Sequence, residues 1–169
     1  MGAIHSNTPL TLGTTHHLAY VYDGSEERLY LDGQLQESRS ATGNVGDGSG
    51  LPHIGAIFRD GSISSSFIGY LDTLRISDIA RYTTDNFSPL IGDLNSDNNT
   101  LLLYNFTESL GSSTVFDLSG NGHTGTLGAG FSGATSPTFS APVPIPAAVW
   151  LLGSGLVAFV GLRRKKHMI

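Results

Sequence analysis

Residues 17–34 read HLAYVYDGSEERLYLDGQ, and the order of residue types in this stretch decides the fold class. Two runs rich in aromatic and aliphatic side chains, His17–Tyr22 and Arg28–Leu31, flank Asp23-Gly24-Ser25-Glu26-Glu27, a run of turn-forming residues. Asp32-Gly33 comes directly after. Both positions tolerate positive φ, so the pair predicts a tight two-residue hairpin turn into a third strand over Gln34–Arg39. The stretch therefore predicts a three-stranded antiparallel meander.

Working outward, further strand signals fall at about Pro52–Phe58, over Phe67–Ser77, with Asp72 inside that strand, and over Thr100–Thr107. Gly43–Gly50 reads as a flexible connection, and Asp78–Tyr82 as one helical turn between strands. The 22 glycines, with abundant Ser and Thr, point to turns between short strands and away from helices. No repeat of solenoid length is visible. The body is expected to be all-β.

Charge narrows the partners. The net charge is −5, but Arg163, Arg164, Lys165 and Lys166 lie in the last seven residues; ahead of them the chain carries 5 Arg against 14 Asp and Glu. So acidic a body disfavours nucleic acid and anionic lipid, which both need a basic face, and favours metal cations or neutral glycans. The chain has no cysteine, which excludes disulfides and thiolate chemistry.

The body resembles the LamG-like branch of the concanavalin A-like lectins and glucanases. The resemblance rests on "HHLAYVYDGSEERLYLDGQLQES", on "FIGYLDTLRISDIARYTTDNF", and on Asp117, Ser119-Gly120-Asn121-Gly122 and Gly125 in the closing stretch; it covers about residues 8–130. It implies a two-sheet antiparallel jelly-roll sandwich. Such domains have opening strands that this sequence does not carry, so a partial sandwich over 1–131 with unpaired strand edges is expected, a liability unless another chain completes it. The start "MGAIHSNTPLTLG" has neither a cationic nor an apolar stretch, and Met1 is expected not to be the true start.

Each candidate site has two readings. Asp117 and Asn121 match loops that hold a structural Ca2+ in related lectin-like domains; the alternative is a turn in which both side chains bond the backbone. Asp72 is a further candidate ligand, against a bond to Arg75 or backbone. Asp93–Asn99 begins like a Ca2+ loop, yet position six is Asn98 and position twelve is Tyr104, so an Asx-rich solvated loop competes. His16 and His17, adjacent on a strand, point to opposite faces and share no ion. Tyr20, Tyr22, Tyr30 and Tyr70 offer a sugar-stacking platform or, alternatively, core packing. No strand carries the paired carboxylates a retaining glucanase needs, and no G-x-S-x-G, HExxH or Walker motif occurs, so no catalytic activity is expected.

Residues 132–142 read as a Ser/Thr/Pro linker, and 143–169 as a separate signal. Ala147–Leu162 contains no charge and is apolar on every face. From Pro144, a helix would reach roughly 28 Å, close to a bilayer's hydrocarbon thickness, so a transmembrane helix over 147–162 is expected rather than a core helix. Arg163, Arg164, Lys165 and Lys166 then stay cytoplasmic and the body lies outside. Val143-Pro144-Ile145-Pro146, this span and the basic tail together resemble a PEP-CTERM sorting signal of the VPLPA type, with Ile145 where Leu is usual. The resemblance implies a Gram-negative envelope and an exosortase as partner, with the span a temporary or a permanent anchor. The combined expectation is an exported binding module for a glycan or envelope partner. The alternatives are a ligand-free matrix protein and the tail of a larger glycosidase.

Overall fold

The computed structural model describes residues 4–45, 52–59, 62–90, 92–128 and 137–139, with backbone alone at 58–59 and 62–64. The chain divides into a unit of residues 1–139 and a unit of residues 140–169. The latter, with the sorting motif, the expected span and the basic tail, lies outside the described residues. Among the described residues no helix is long and apolar enough to cross a membrane.

The described part is all-β, with nine strands and no helix, and fits a jelly-roll sandwich. The meander forms as expected: β1 (Leu18–Tyr22), β2 (Glu26–Leu31) and β3 (Gln34–Ser40) make an antiparallel sheet in that order. Asp32 and Gly33 both have positive φ, 51° and 78°, the backbone that a two-residue hairpin turn demands. The first loop is shorter than expected, Asp23–Ser25, because Glu26 and Glu27 belong to β2. Their carboxylates explain it: Glu26 pairs with Arg28 within the strand, and Glu27 is buried where Arg39 (2.8 Å) and the Tyr20 hydroxyl (2.8 Å) donate to it. Asp23 closes the loop by accepting from the Ser25 and Glu26 N–H groups.

β4 (Ala56–Arg59) pairs with β5 (Ser62–Ser66), a strand whose Ser-rich sequence gave no signal. β6 (Leu74–Ser77) pairs with β7 (Thr100–Tyr104), and β8 (Thr114–Val115) with β9 (Gly125–Thr126). The strands expected over Phe67–Ser77 and Thr100–Thr107 are shorter than the sequence indicates, for one reason. Leu74 pairs with Tyr104, and two residues later Phe106 adopts a positive φ of 50°, which turns the chain out of β7. With no partner left, Phe67–Thr73 is not strand, and Asp72 sits ahead of β6 rather than in it. Asp78–Tyr82 is likewise a bend and not a helical turn, since the Asp78 N–H bonds the Asn99 carbonyl and Arg81 folds back onto Ser77 and Asp97.

Consecutive residues Leu102, Leu103 and Tyr104 are all buried, so β7 is covered on both faces. Leu102, Tyr104 and Val115 form one cluster, joined by Leu74, Phe106, Leu127 and Phe139. Phe139 lies in the segment expected to be a linker, yet it packs on this core. In the meander, Tyr30 is fully buried and donates to the Thr84 carbonyl (2.8 Å), with its ring edge-on to Phe87 at 5.3 Å.

Candidate functional site

Asp117 and Asn121 come together beside the outer edge of β7. The Asp117 carboxylate accepts from four groups: the N–H of Leu103 (3.0 Å), Ser119 (2.9 Å) and His123 (3.0 Å), and the Ser119 hydroxyl (2.8 Å). Burial pushes the carboxyl pKa up, but the donors outweigh it and hold it down at about 2. Asn121 Nδ2 donates to the Thr100 and Leu101 carbonyls at 3.1 and 3.0 Å. Leu101 is the extra residue where the β6–β7 register shifts, and its carbonyl is thereby satisfied. The arrangement matches the turn reading of these two residues: every named contact of Asp117 comes from a donor, and Asn121 spends its amide on backbone.

Asp72 is exposed and makes no hydrogen bond among the described residues. Among the described residues no three His, Cys, Asp or Glu side chains converge as metal ligands. In the 93–99 loop, Asp97 takes a bidentate grip from Arg81 (2.6 and 2.8 Å) and the Thr100 hydroxyl (2.7 Å), which holds its carboxyl well below the usual range. That carboxylate is a joint between two connections. His16 and His17 diverge as their adjacency requires. His16 Nδ1 meets Asp32 at 2.7 Å and Nε2 meets the Thr14 hydroxyl at 2.9 Å, while the His17 ring lies edge-on to Phe87. The Asp32 hydrogen bond, with the Thr11 backbone, raises the His16 pKa. This Thr-His-Asp line ties the loop ahead of β1 to the turn after β2.

The four tyrosines do not form a platform. Tyr30 is core, on the opposite face of the sheet from Tyr20 and Tyr22, since it pairs with Ala19. Tyr70 is 86% exposed in the 67–73 segment, well apart in sequence from the meander.

A hollow of about 380 Å3 lies elsewhere, lined by Thr107, Glu108, Ser109, Ser112, Phe116 and Leu118. Phe116 and Leu118 are 58% and 48% exposed. The Phe116 N–H donates to Glu108 Oε1 at 2.7 Å, which ties the aromatic residue to the wall, and Glu108 Oε2 is enclosed with no partner among the described residues. The Ser112 hydroxyl donates to the Thr114 carbonyl at 2.9 Å. The lining offers two apolar side chains, three hydroxyls and one carboxylate. Sequence reading missed it, because the six residues have no characteristic spacing; the only signal was a solvent-facing Phe in a turn-rich stretch.

Residues 2–85 match the family model described as the concanavalin A-like lectin/glucanases superfamily. That span contains the meander, β4, β5, β6 and the aromatic contacts of Tyr30 with Tyr82. No curated protein and no solved structure matches the chain significantly.

Proposed function

From a lectin-type β domain over residues 2–85, we propose that the protein is a non-catalytic binding module for a neutral saccharide, received in the hollow between Glu108 and Phe116. The observation that carries this reading is the exposed Phe116, in a hollow lined also by Leu118 and by the hydroxyl residues Thr107, Ser109 and Ser112. A pyranose has one apolar face and a rim of hydroxyls, so an aromatic ring and hydroxyl side chains answer both. The acidic body turns anionic ligands away. Its carboxylates also serve other tasks: Asp23 and Glu26 hold Arg28, Glu27 holds Arg39, and Asp97 holds Arg81, which supports binding over hydrolysis.

Delivery belongs to the C-terminal signal: an exosortase reads Val143-Pro144-Ile145-Pro146 at the membrane, and the body faces the periplasm or the outside of a bacterial envelope. Mass spectrometry of the surface fraction then finds a C-terminus upstream of Trp150. Chains recovered only with Arg163–Lys166 attached make the segment a permanent anchor.

The binding test uses the full chain in mild detergent on a glycan array, with and without Ca2+. Retention of neutral glycans is expected, reduced about tenfold or more in Phe116→Ala, the loss of one stacking contact of about 1.4 kcal/mol. Equal retention by Phe116→Ala removes the hollow. No retention at all removes the saccharide and leaves a matrix building block. Loss of binding without Ca2+ that tracks Asp117→Ala or Asp72→Ala assigns a cation to those residues.

A further inference from the structure

We propose that the outer edge of β1 is a self-association surface, on which β1 of a second copy pairs antiparallel with the two strands centred on Tyr20. The phase of the strand is set by the Asp32 N–H, which donates to the His17 carbonyl at 2.8 Å. His17, Ala19 and Val21 therefore turn their backbone groups toward β2, and Leu18, Tyr20 and Tyr22 turn theirs outward. Among the described residues no backbone group bonds to that outer row.

The other side of the same sheet is covered over Gly33–Gln36. The Leu35 N–H donates to the Asp85 carbonyl and the Phe87 N–H to the Gly33 carbonyl, both at 2.9 Å, while Asn7 and Thr8 bond Gln36. β1 also lacks the guards that exposed edges ordinarily carry: its five residues, LAYVY, include no charge, proline or glycine. Leu18 and Tyr20 stand 66% and 56% exposed.

A second copy of the same strand fits this edge for three reasons. With Tyr20 opposite Tyr20, the outward rows face each other, Leu18 against Tyr22 at both ends, and about six hydrogen bonds close. Ala19 then meets Val21 on the buried face, and Leu18, Tyr20 and Tyr22 stack across the joint on the other. The flanking ionisable groups brought opposite each other are Asp23 and His17, whose pKa burial lowers, so no two like charges meet and no repulsion opposes the two-fold register.

The chain has no cysteine, so single thiols report the register directly. In the full chain in mild detergent, Tyr20→Cys places two Cα atoms about 5.5 Å apart, within disulfide range. Under gentle oxidation it should form covalent dimers about tenfold or more faster than Thr83→Cys, an exposed control, because pairing raises the effective thiol concentration. Leu18→Cys and Tyr22→Cys should each cross-link slowly alone and quickly when mixed. Tyr20→Pro deletes an outward N–H and keeps the β1–β2 pairs, so it should abolish the dimer with unchanged far-ultraviolet circular dichroism. Cross-linking of Tyr20→Cys no faster than the control, with no gain on mixing the Leu18 and Tyr22 thiols, overturns the proposal. So does a folded Tyr20→Pro chain that keeps the same oligomer, since association then runs through another segment.

Discussion

Along β7, the amide and carbonyl of Leu103 that face away from β6 are taken by the Asp117 carboxylate and the Leu118 N–H, and the Leu101 carbonyl by Ser119 and Asn121. Along β1, the corresponding groups of Leu18, Tyr20 and Tyr22 meet no described residue. The two edges differ in what the chain beyond each strand brings to it. β7 is sealed by the 117–123 loop that follows β8, dense in short polar side chains that reach its backbone without adding a strand to that edge. β1 runs into a three-residue hairpin that leads to its inner side only. Short Asx and Ser residues close an edge to partners; a run of apolar strand residues leaves it open.

The third edge, that of β3, rests on a single glycine. A Cβ placed on Gly33 would overlap the Phe87 carbonyl oxygen and lie 2.9 Å from Pro89 Cδ, and the residue's φ of +78° disfavours any side chain. Gly33→Ala should therefore lose on the order of 3–5 kcal/mol or fail to fold, because the 85–87 segment must detach and the turn is strained as well. Urea denaturation in detergent reads the loss. A change below about 1 kcal/mol would show that this seal is not formed.

Next in size is Asp117→Ala. It strands three N–H groups and a hydroxyl, so about 2–3 kcal/mol should go, against less than about 0.5 kcal/mol for the exposed Asp72→Ala. Equal effects would mean that Asp117 does not seal β7.

The same carboxylate gives a pH signature. Its folded pKa, about 2, lies below the unfolded value near 3.8, so the folded state binds fewer protons in that window. The Asp117 contribution is whole above about pH 4 and fades as pH falls toward 2. The acid loss between those values should shrink in Asp117→Asn, and a wild-type slope retained there would assign it to other carboxylates.

Legibility in the sequence divides along the same line, between local and distant causes. The meander was readable because Asp32-Gly33 and Asp23-Gly24-Ser25 carry their turn chemistry locally, and the structure places strands on both sides of each. The ends of β6 and β7 were not, because they depend on Phe106 turning through a positive φ, a conformation its side chain does not announce. Ser62–Ser66 forms β5 because it lies opposite β4, not by its own propensity. The backbone bonds of Asp117 and Asn121 were readable as one alternative beside Ca2+ ligation. The hollow at Phe116 depends on Thr107–Glu108 and Ser112 meeting across a loop, which no spacing rule encodes.

The smallest expected effect lies on the open edge itself. Leu18 is 66% exposed, so Leu18→Thr removes little buried apolar area from the folded chain. Thr is also a favourable strand residue. In dilute detergent, where copies are apart, unfolding should shift by less than about 0.5 kcal/mol, several-fold less than for Asp117→Ala. At high protein concentration the same substitution should lower association, since Leu18 then packs on Tyr22 of the second copy. The contrast needs both measurements: a large loss in the dilute chain would show that β1's outer row is already covered from within, and the two edges would no longer differ.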